Sequence, residues 1–431
     1  MSELAYLTKN QKNSIKILSV ASFLEYFDLM LYAHLSATLN QQFFPSIDPN
    51  TNIIVTSFIF FSTYALKPLF ILIFGYIGDK IGRRETIIVS SRIMAAACIT
   101  MCIVPTYDTI GITATLIITL CRILQNLTSM GLFIGSAIYL TELTKAPLQN
   151  VVVSFMSIAS SLGAFTCLGL VTIMNYYDIN WRFAFLIGSL IGIIGIKARD
   201  TLLENTEFTN AKKLAEEQSK KPTQQITTSS SKENFSAVTL WSYFFIKSSW
   251  PVCFYLKVIY LGNILTEKFG YNAEDIVYHN FKASFFVLII SPIICWLTYY
   301  INPLKILQYI IIGFSVIILF LPYILAHVEY PHQILMLQSC LSLFYPTAFP
   351  ANAIFYNHLP ILKRFTYSSF IYAASRIIMS LVKAIGFFIL IDKFGYIGLY
   401  MIFIPIIIGF SFGLQHFMKL EKKRLELTNI L

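Results

Sequence analysis

Gly75-Tyr76-Ile77-Gly78-Asp79-Lys80-Ile81-Gly82-Arg83-Arg84 stands between two long apolar runs, near 52–76 and 86–105. Gly75, Gly78 and Gly82 let two long helices approach closely and turn within a few residues. Asp79 is then placed to face a helix N-terminus, whose dipole favours an anion. Arg83 and Arg84 are placed to grip carboxylates or carbonyls on neighbouring helices. A basic turn that only anchored topology would not require this spacing, so the decapeptide predicts a packed junction between membrane helices.

The rest of the chain agrees with a membrane setting. Of 431 residues, 56% are hydrophobic and 13% charged, against roughly 25% charged in soluble domains. Apolar stretches on this scale have to face lipid. The net charge of +10 raises the possibility of a nucleic-acid partner, which the distribution of bases argues against. The seven cysteines all fall in apolar stretches without a pairing framework and read as buried thiols.

A helix needs about 20 apolar residues to cross the hydrocarbon core. Twelve candidate spans lie near 15–38, 52–76, 86–105, 110–140, 150–174, 182–198, 238–264, 278–300, 304–325, 333–356, 365–391 and 395–418. The seventh is weakened by Lys247 and Lys257, the tenth by Pro346 and Pro350. With alternating direction, 21 of the 32 Lys and Arg residues fall on one face, three on the other and eight within spans. The positive-inside rule then puts both termini in the cytoplasm. No cleavable signal peptide is evident in the polar start. The expected protein is an all-α integral membrane chain with two pseudo-symmetric halves of six spans, 1–197 and 237–431, joined by a polar cytoplasmic linker, 198–236. A shift of 215 residues aligns Glu142 with Asn357, Ser154-Phe155 with Ser369-Phe370 and Ala159 with Ala374, as related halves require.

Charges inside the membrane need a reason, since each costs upward of ~2.5–3.5 kcal/mol at a helix centre. Glu25 and Asp28 are the two carboxylates read as lying deep in a span, three residues apart on one face of the first, among Tyr26, Phe27 and Tyr32. They read either as a structural pair neutralised by Arg122 or another base, or as a protonatable, cation-attracting site in a central cavity. Arg122 and Gln125, one turn apart in the fourth span, are expected to face the same cavity. There Arg122 would clamp a substrate carboxylate or partner Asp28. Arg376 and Lys383 share a face of the eleventh span and read as cavity or snorkelling residues. Lys247, Lys257 and Lys282 are placed near span ends, without a functional role. The six histidines show no metal spacing, and no metal or cofactor is expected.

The turn resembles the signature between helices 2 and 3 of the major facilitator superfamily. Further runs narrow the resemblance to its metabolite–proton symporter branch, which includes the proline/betaine transporters. They are Glu25-Tyr26-Phe27-Asp28 with Tyr32, Phe43-Phe44-Pro45, Pro105 to Gly111, Arg122 to Gln125, Trp181 to Gly188 and Glu204 to Phe208. His358-Leu359-Pro360 and Arg364 fit the loop before helix 11, where Asn357 replaces a usual Glu. The glycine-rich turn between spans 8 and 9 is eroded to Tyr299 to Lys305. Lys67 stands for a usual Arg, and Leu132 for a Glu that often belongs to the coupling machinery. The resemblance implies alternating access by two rocking halves, with Gly75, Gly78, Asp79, Gly82, Arg83, Arg84 and Glu142 as gating residues. Asp79, Arg83 and Glu142 are expected to close the inner mouth.

The function expected is proton-coupled uptake of a small zwitterion such as proline or glycine betaine. Uptake of a di- or tricarboxylate, and a degenerate uncoupled facilitator or sensor, are the alternatives. No phosphate-binding Gly-x-x-x-x-Gly-Lys-Ser/Thr run is present, and no catalytic constellation marks an enzyme. The expected partners are a small substrate, protons and lipid, with the chain acting as a monomer. Heavy use of Ile, Lys, Asn, Phe and Tyr points to an AT-rich bacterial genome, hence an inner membrane.

Overall fold

The computed structural model describes residues 7–44, 73–204, 206–219 and 236–428, and all regular structure among them is helical. Eleven of the twelve expected spans appear as helices in these residues. The second lies outside them apart from residues 73–76, and so does Lys67. Among the described residues, six stretches meet the length and hydropathy needed to cross a membrane. They are Arg83–Ile103, Ile112–Leu143, Leu148–Tyr176, Ala273–Tyr300, Pro303–Ala326 and the combined stretch Ile361–Glu426, which carries the last two spans.

The remaining spans are interrupted or carry charge, and each departure has a local cause. The first, Lys9–Phe43, starts with a capping box in which Thr8 and Gln11 satisfy each other's backbone, and it carries three lysines, Glu25 and Asp28. The sixth breaks at Ser189-Leu190 into Arg182–Gly188 and Ile191–Thr201. The seventh runs Ala237–Phe254 and Leu261–Phe269 with a π-helical turn, Tyr255–Tyr260, between them, just after Pro251. Such turns often occur at functional sites. The tenth stops at Leu343 and resumes at Asn352, around Pro346 and Pro350. Irregular backbone at this depth persists where it is buried in protein or lines a cavity. Here Pro346 C=O accepts from Ser249 Oγ at 2.7 Å, and Phe349 N–H donates to Thr347 Oγ1 at 2.8 Å.

Close packing depends on residues without side chains. A Cβ at Gly163 would strike the Phe23 carbonyl, so the fifth span lies directly on the backbone of the first. Gly413 seats the twelfth span on the Ser242 carbonyl of the seventh in the same way. Across the halves, Phe165 of the fifth span stacks on Phe281 of the eighth at 4.7 Å.

Several expected features of the basic face meet at one end. Gln11 donates to Leu143 C=O at 3.0 Å, and His358 in the loop after the tenth span pairs with Glu421 of the C-terminal helix at 2.8 Å. The opposite end is pinned by Trp181, which donates to Gln42 at 2.8 Å, and by Arg182, which donates to Cys102 C=O at 2.8 Å. The cysteines are unpaired, and five are buried. Cys340 departs from the expectation: it lies exposed on the apolar helix Pro331–Leu343.

Gly163→Ala should lower stability by about 1–3 kcal/mol, since the backbones must separate. Gly135→Ala, whose Cβ would meet Ile87 and Phe365 at an ordinary 3.4 Å, should leave it nearly unchanged. Thermal unfolding of the two variants in detergent checks the contrast.

Candidate functional site

The first span sorts its polar residues onto two stripes. Tyr26, Met30 and His34, spaced by four, line a central cavity of about 270 Å³. Glu25, Asp28 and Tyr32 fall on a second stripe facing the fourth and third spans. Glu25 and Asp28 are buried, 2% and 1% exposed. Asp28 Oδ1 accepts from Gln125 Nε2 at 3.0 Å and from Cys98 Sγ at 3.2 Å. Arg122 Nη1 donates to Gln125 Oε1 at 2.9 Å, with its guanidinium 3.5 Å above the Tyr32 ring. Arg122 therefore reaches Asp28 through Gln125. Glu25 accepts from Ser129 Oγ, one turn before Leu132, which is itself buried. Among the described residues, Glu25 Oε2 and Asp28 Oδ2 have no hydrogen-bond partner. Gly188 of the sixth span closes this compartment, since a Cβ there would lie 3.4 Å from Asp28 Oδ1.

This placement corrects one expectation. Glu25, Asp28, Tyr32, Arg122 and Gln125 come together, but as a compartment behind the cavity wall. A residue one position away on a helix points about 100° elsewhere, so Tyr26 takes the cavity side. Of the seven residues assigned to a cavity from sequence, Arg376 lines it. Its guanidinium stacks on Trp250 at 3.8 Å and lies 4.9 Å from the Tyr372 ring. Lys383 does not line the cavity. It stands half-buried with Nζ 5.8 Å from the Tyr255 ring.

Sequence reading missed two cavity cations. Lys247 and Lys257 were placed near span ends, yet both line the cavity. Lys247 donates to Asn352 at 3.0 Å, and the Lys257 ammonium lies 5.9 Å from the Tyr345 ring. Their signal was present in the low hydropathy of the seventh span, since lipid-facing helices do not carry such charges. His34 is a further cavity residue without a sequence pattern to mark it.

The quoted turn forms a second site at the basic end. Asp79 accepts from the backbone N–H groups of Phe365 and Thr366, at 3.1 and 2.8 Å, at the start of the eleventh span. A carboxylate there meets unsatisfied amides and the positive end of the helix dipole. Burial nevertheless outweighs these bonds and the nearby Arg83, and it raises the Asp79 carboxyl above its ordinary range. Arg83, 0% exposed, donates to Gly78 C=O at 2.7 Å, Glu142 at 3.2 Å and Ile361 C=O at 2.6 Å. Its guanidinium also lies 4.0 Å above the Phe208 ring. Glu142 accepts from Arg364 as well, at 2.9 Å.

The glycines make this junction possible. Gly75 and Gly78 face Thr366 and the Phe365 ring, and Gly82, at φ +147°, lies under the Glu204 carboxylate. Glu204 accepts from Arg83 N–H at 3.0 Å. Arg84 turns outward, pairing with Glu85 at 3.3 Å and donating to Arg199 C=O. The same shift of 215 that relates Glu142 to Asn357 relates Gln149 to Arg364. Asn357 donates to Gln149 at 2.8 Å, so the charged Arg364–Glu142 pair has a neutral amide counterpart. Glu204, Phe208 and Arg364 complete the junction, and none of them had been assigned to it.

The comparisons with known proteins agree with this architecture. Over a little under half its length the chain is similar to proline/betaine transporters. It is 28% identical to that of Escherichia coli K12 over 204 residues, 46% of this chain and 41% of the relative. It is 26% identical to a putative proline/betaine transporter of Staphylococcus aureus strain COL over 211 residues, 47% of this chain and 45% of the relative. The match thus spans under half the length of these relatives. In fold it is similar to the proton:xylose symporter XylE, with a TM-score of 0.68 at 12% identity over 96% of this chain and 95% of that one. For the transporter FucP the TM-score is 0.65 at 14% identity over 94% and 99%. The family model described as the Major Facilitator Superfamily matches residues 18–382, most of the chain. The chain belongs to the Major Facilitator Superfamily, with its fold of twelve membrane helices in two six-helix halves.

Proposed function

We propose that the chain is a secondary transporter of a bacterial inner membrane that couples protons to the movement of a small carboxylate-bearing metabolite. The observation that carries this reading is the buried pair Glu25 and Asp28, each with an unpartnered oxygen, directly behind the central cavity. A symporter needs a group that changes charge during its cycle, and a carboxylate held between desolvation and a nearby arginine is poised to do so. Leu132 occupies the position where the resemblance expects a further carboxylate, which leaves the first span to carry the proton. The names of the curated relatives support a carboxylate-bearing solute, since proline and betaine each carry one.

In this reading the junction at the basic end is the cytoplasmic gate. Asp79, Arg83, Glu142 and Arg364 tie the two halves together there, and the cavity can open to the cytoplasm only once these bonds part. A desolvated charge cluster of this kind biases a two-state equilibrium. Among the described residues, the start of the first helix at Lys9, the linker helix Thr206–Ser219 and the end of the C-terminal helix lie on this cytoplasmic face in the same reading; residues 220–235 of the linker lie outside the described residues.

Three measurements bear on this proposal. Asp28→Asn should eliminate pH-driven accumulation in proteoliposomes while retaining exchange of substrate across the membrane. Glu25→Gln should act likewise if the pair titrates as a unit. Undiminished accumulation in the double variant would exclude coupling through the first span and leave a facilitator or another coupling ion. Asp79→Asn should stop net transport while binding persists, and equal loss of both would indicate misfolding instead. A cysteine replacing Lys213, in a background lacking the native cysteines, should resist membrane-impermeant maleimide in intact cells and react in inverted vesicles. Labelling from outside would reverse the assigned orientation.

A further inference from the structure

Residues 357–364 join the tenth span to the eleventh and carry much of the junction. Asn357 donates to Gln149 at 2.8 Å, Ile361 C=O accepts from Arg83 at 2.6 Å, and Arg364 pairs with Glu142 at 2.9 Å. His358 reaches a different partner. Its Nε2 lies 2.8 Å from Glu421 Oε1, on the part of the C-terminal helix Gly398–Thr428 that extends past the last span. Both side chains are largely buried, 15% and 16% exposed. Arg424 Nη1 reaches the same carboxylate oxygen at 3.5 Å. The His358 ring also lies 5.8 Å from that of Phe417, which is buried against Phe355. His358 thus ties the C-terminal helix to the loop that presents the Leu359 and Ile361 carbonyls to Arg364 and Arg83. His416 lies across the Phe417 ring, near Lys419, and bonds Thr239 of the seventh span at 3.0 Å. Glu142 of the fourth span and Glu207 of the linker helix stand at Arg364, at 2.9 and 3.9 Å. Burial opposes a charge on Glu421, but the bond and charge of His358, with Arg424, outweigh it and hold that carboxyl below its ordinary range.

We propose that the His358–Glu421 pair is a latch through which cytoplasmic acidity holds the gate shut. This rests on the reading of the junction as the cytoplasmic gate, and it adds a regulator distinct from the transported proton. Histidine is the residue type that changes charge between about pH 5 and 8. With His358 protonated, the pair becomes a charge-assisted hydrogen bond, roughly twice as strong as a neutral one. The loop is then pinned in the shape that meets Arg83. The ion pair is complete while His358 is charged and Glu421 ionised, so it is lost as pH rises through the histidine's titration. At the acid end it persists until Glu421 takes a proton, below the ordinary carboxylate range. The acids of the gate itself act in the opposite direction. Burial raises the carboxyls of Asp79, Glu204 and Glu207, so falling pH discharges them and loosens the junction. A gate that tightens as pH falls from neutral therefore marks the latch. Such a latch slows proton entry when the cytoplasm is already acid.

The gate can be followed directly, without a substrate. Nitroxide labels on cysteines replacing Lys145 and Lys305, exposed residues of the two halves, report the distance across the junction. The sample is the full-length protein in lipid nanodiscs, with its native cysteines replaced. Lowering the pH from about 8 to about 6 should shrink the long-distance, open population at least about threefold relative to the closed one. His358→Gln should abolish this response, and Glu421→Gln carries the same test where the histidine variant fails to fold. His416→Gln should keep the response, and so should the double variant Glu25→Gln/Asp28→Asn. The proposal is overturned if the wild type shows no response or the opposite one, or if either latch variant responds normally. Loss of the response in His416→Gln or in the Glu25→Gln/Asp28→Asn variant would overturn it too. Asp79→Asn separates this outcome from the gate reading. If that variant opens the junction while the wild type ignores pH, the gate stands and the latch falls. If the double variant loses coupled transport and keeps the pH response, the latch stands apart from the proton path.

Discussion

The contact between Asp79 and the first amides of the eleventh span is the constraint from which much of the basic end follows. A buried carboxylate at a helix start is tolerated only with donors aimed at it, and two backbone N–H groups meet it here. To reach them, the turn must lie flat against the Phe365 ring, which requires Gly78. The two terminal nitrogens of the fully buried Arg83 then need acceptors. Arg83 finds them on three partners: its own turn at Gly78, the fourth span at Glu142, and the second half at Ile361. Removing one partner from such a cluster leaves the others as uncompensated buried charges, which costs far more than the net value of any single pair.

The wall of the cavity is electrically lopsided. The first half keeps its acids one layer back, hydrogen-bonded to Gln125, Cys98 and Ser129, and offers the cavity hydroxyls and rings. The second half brings its bases to the surface of the cavity. In the proposed cycle, a substrate touches the second half's charges directly, while protonation acts from behind the first half's wall. The two events are then linked by the rocking of the halves and by the attraction between Glu25 and Arg376.

Much of this was legible in the residues. Spans of 20 apolar residues declare themselves because lipid tolerates no alternative, and among the described residues the helices overlap those expected, the first and last running six and ten residues beyond them. The decapeptide also announced a packed turn, because three glycines at that spacing have few other uses. What did not read out was the facing of individual side chains. Glu25 and Tyr26 are neighbours in sequence, and only packing against the third and fourth spans decides which one meets the cavity. Lys247 and Lys257 were misplaced for a related reason. Hydropathy alone cannot separate a span end from a cavity wall, and the π-helical turn at Tyr255–Tyr260 that carries Lys257 left no pattern to read.

The neutral Gln149–Asn357 pair gives the junction a consequence of its own. On one side of the pseudo-twofold axis the halves are joined by ions, on the other by amides of the same geometry. Both sides are largely buried and out of reach of mobile salt, but parting the ionic side leaves desolvated charges without their partners, whereas parting the amide side strands only neutral groups. If the halves rock apart as proposed, the amide side behaves as a hinge and the charged side as a catch that holds until water reaches its ions. A symmetric pair of ion locks would release both sides together, whereas this junction is built to open from one edge.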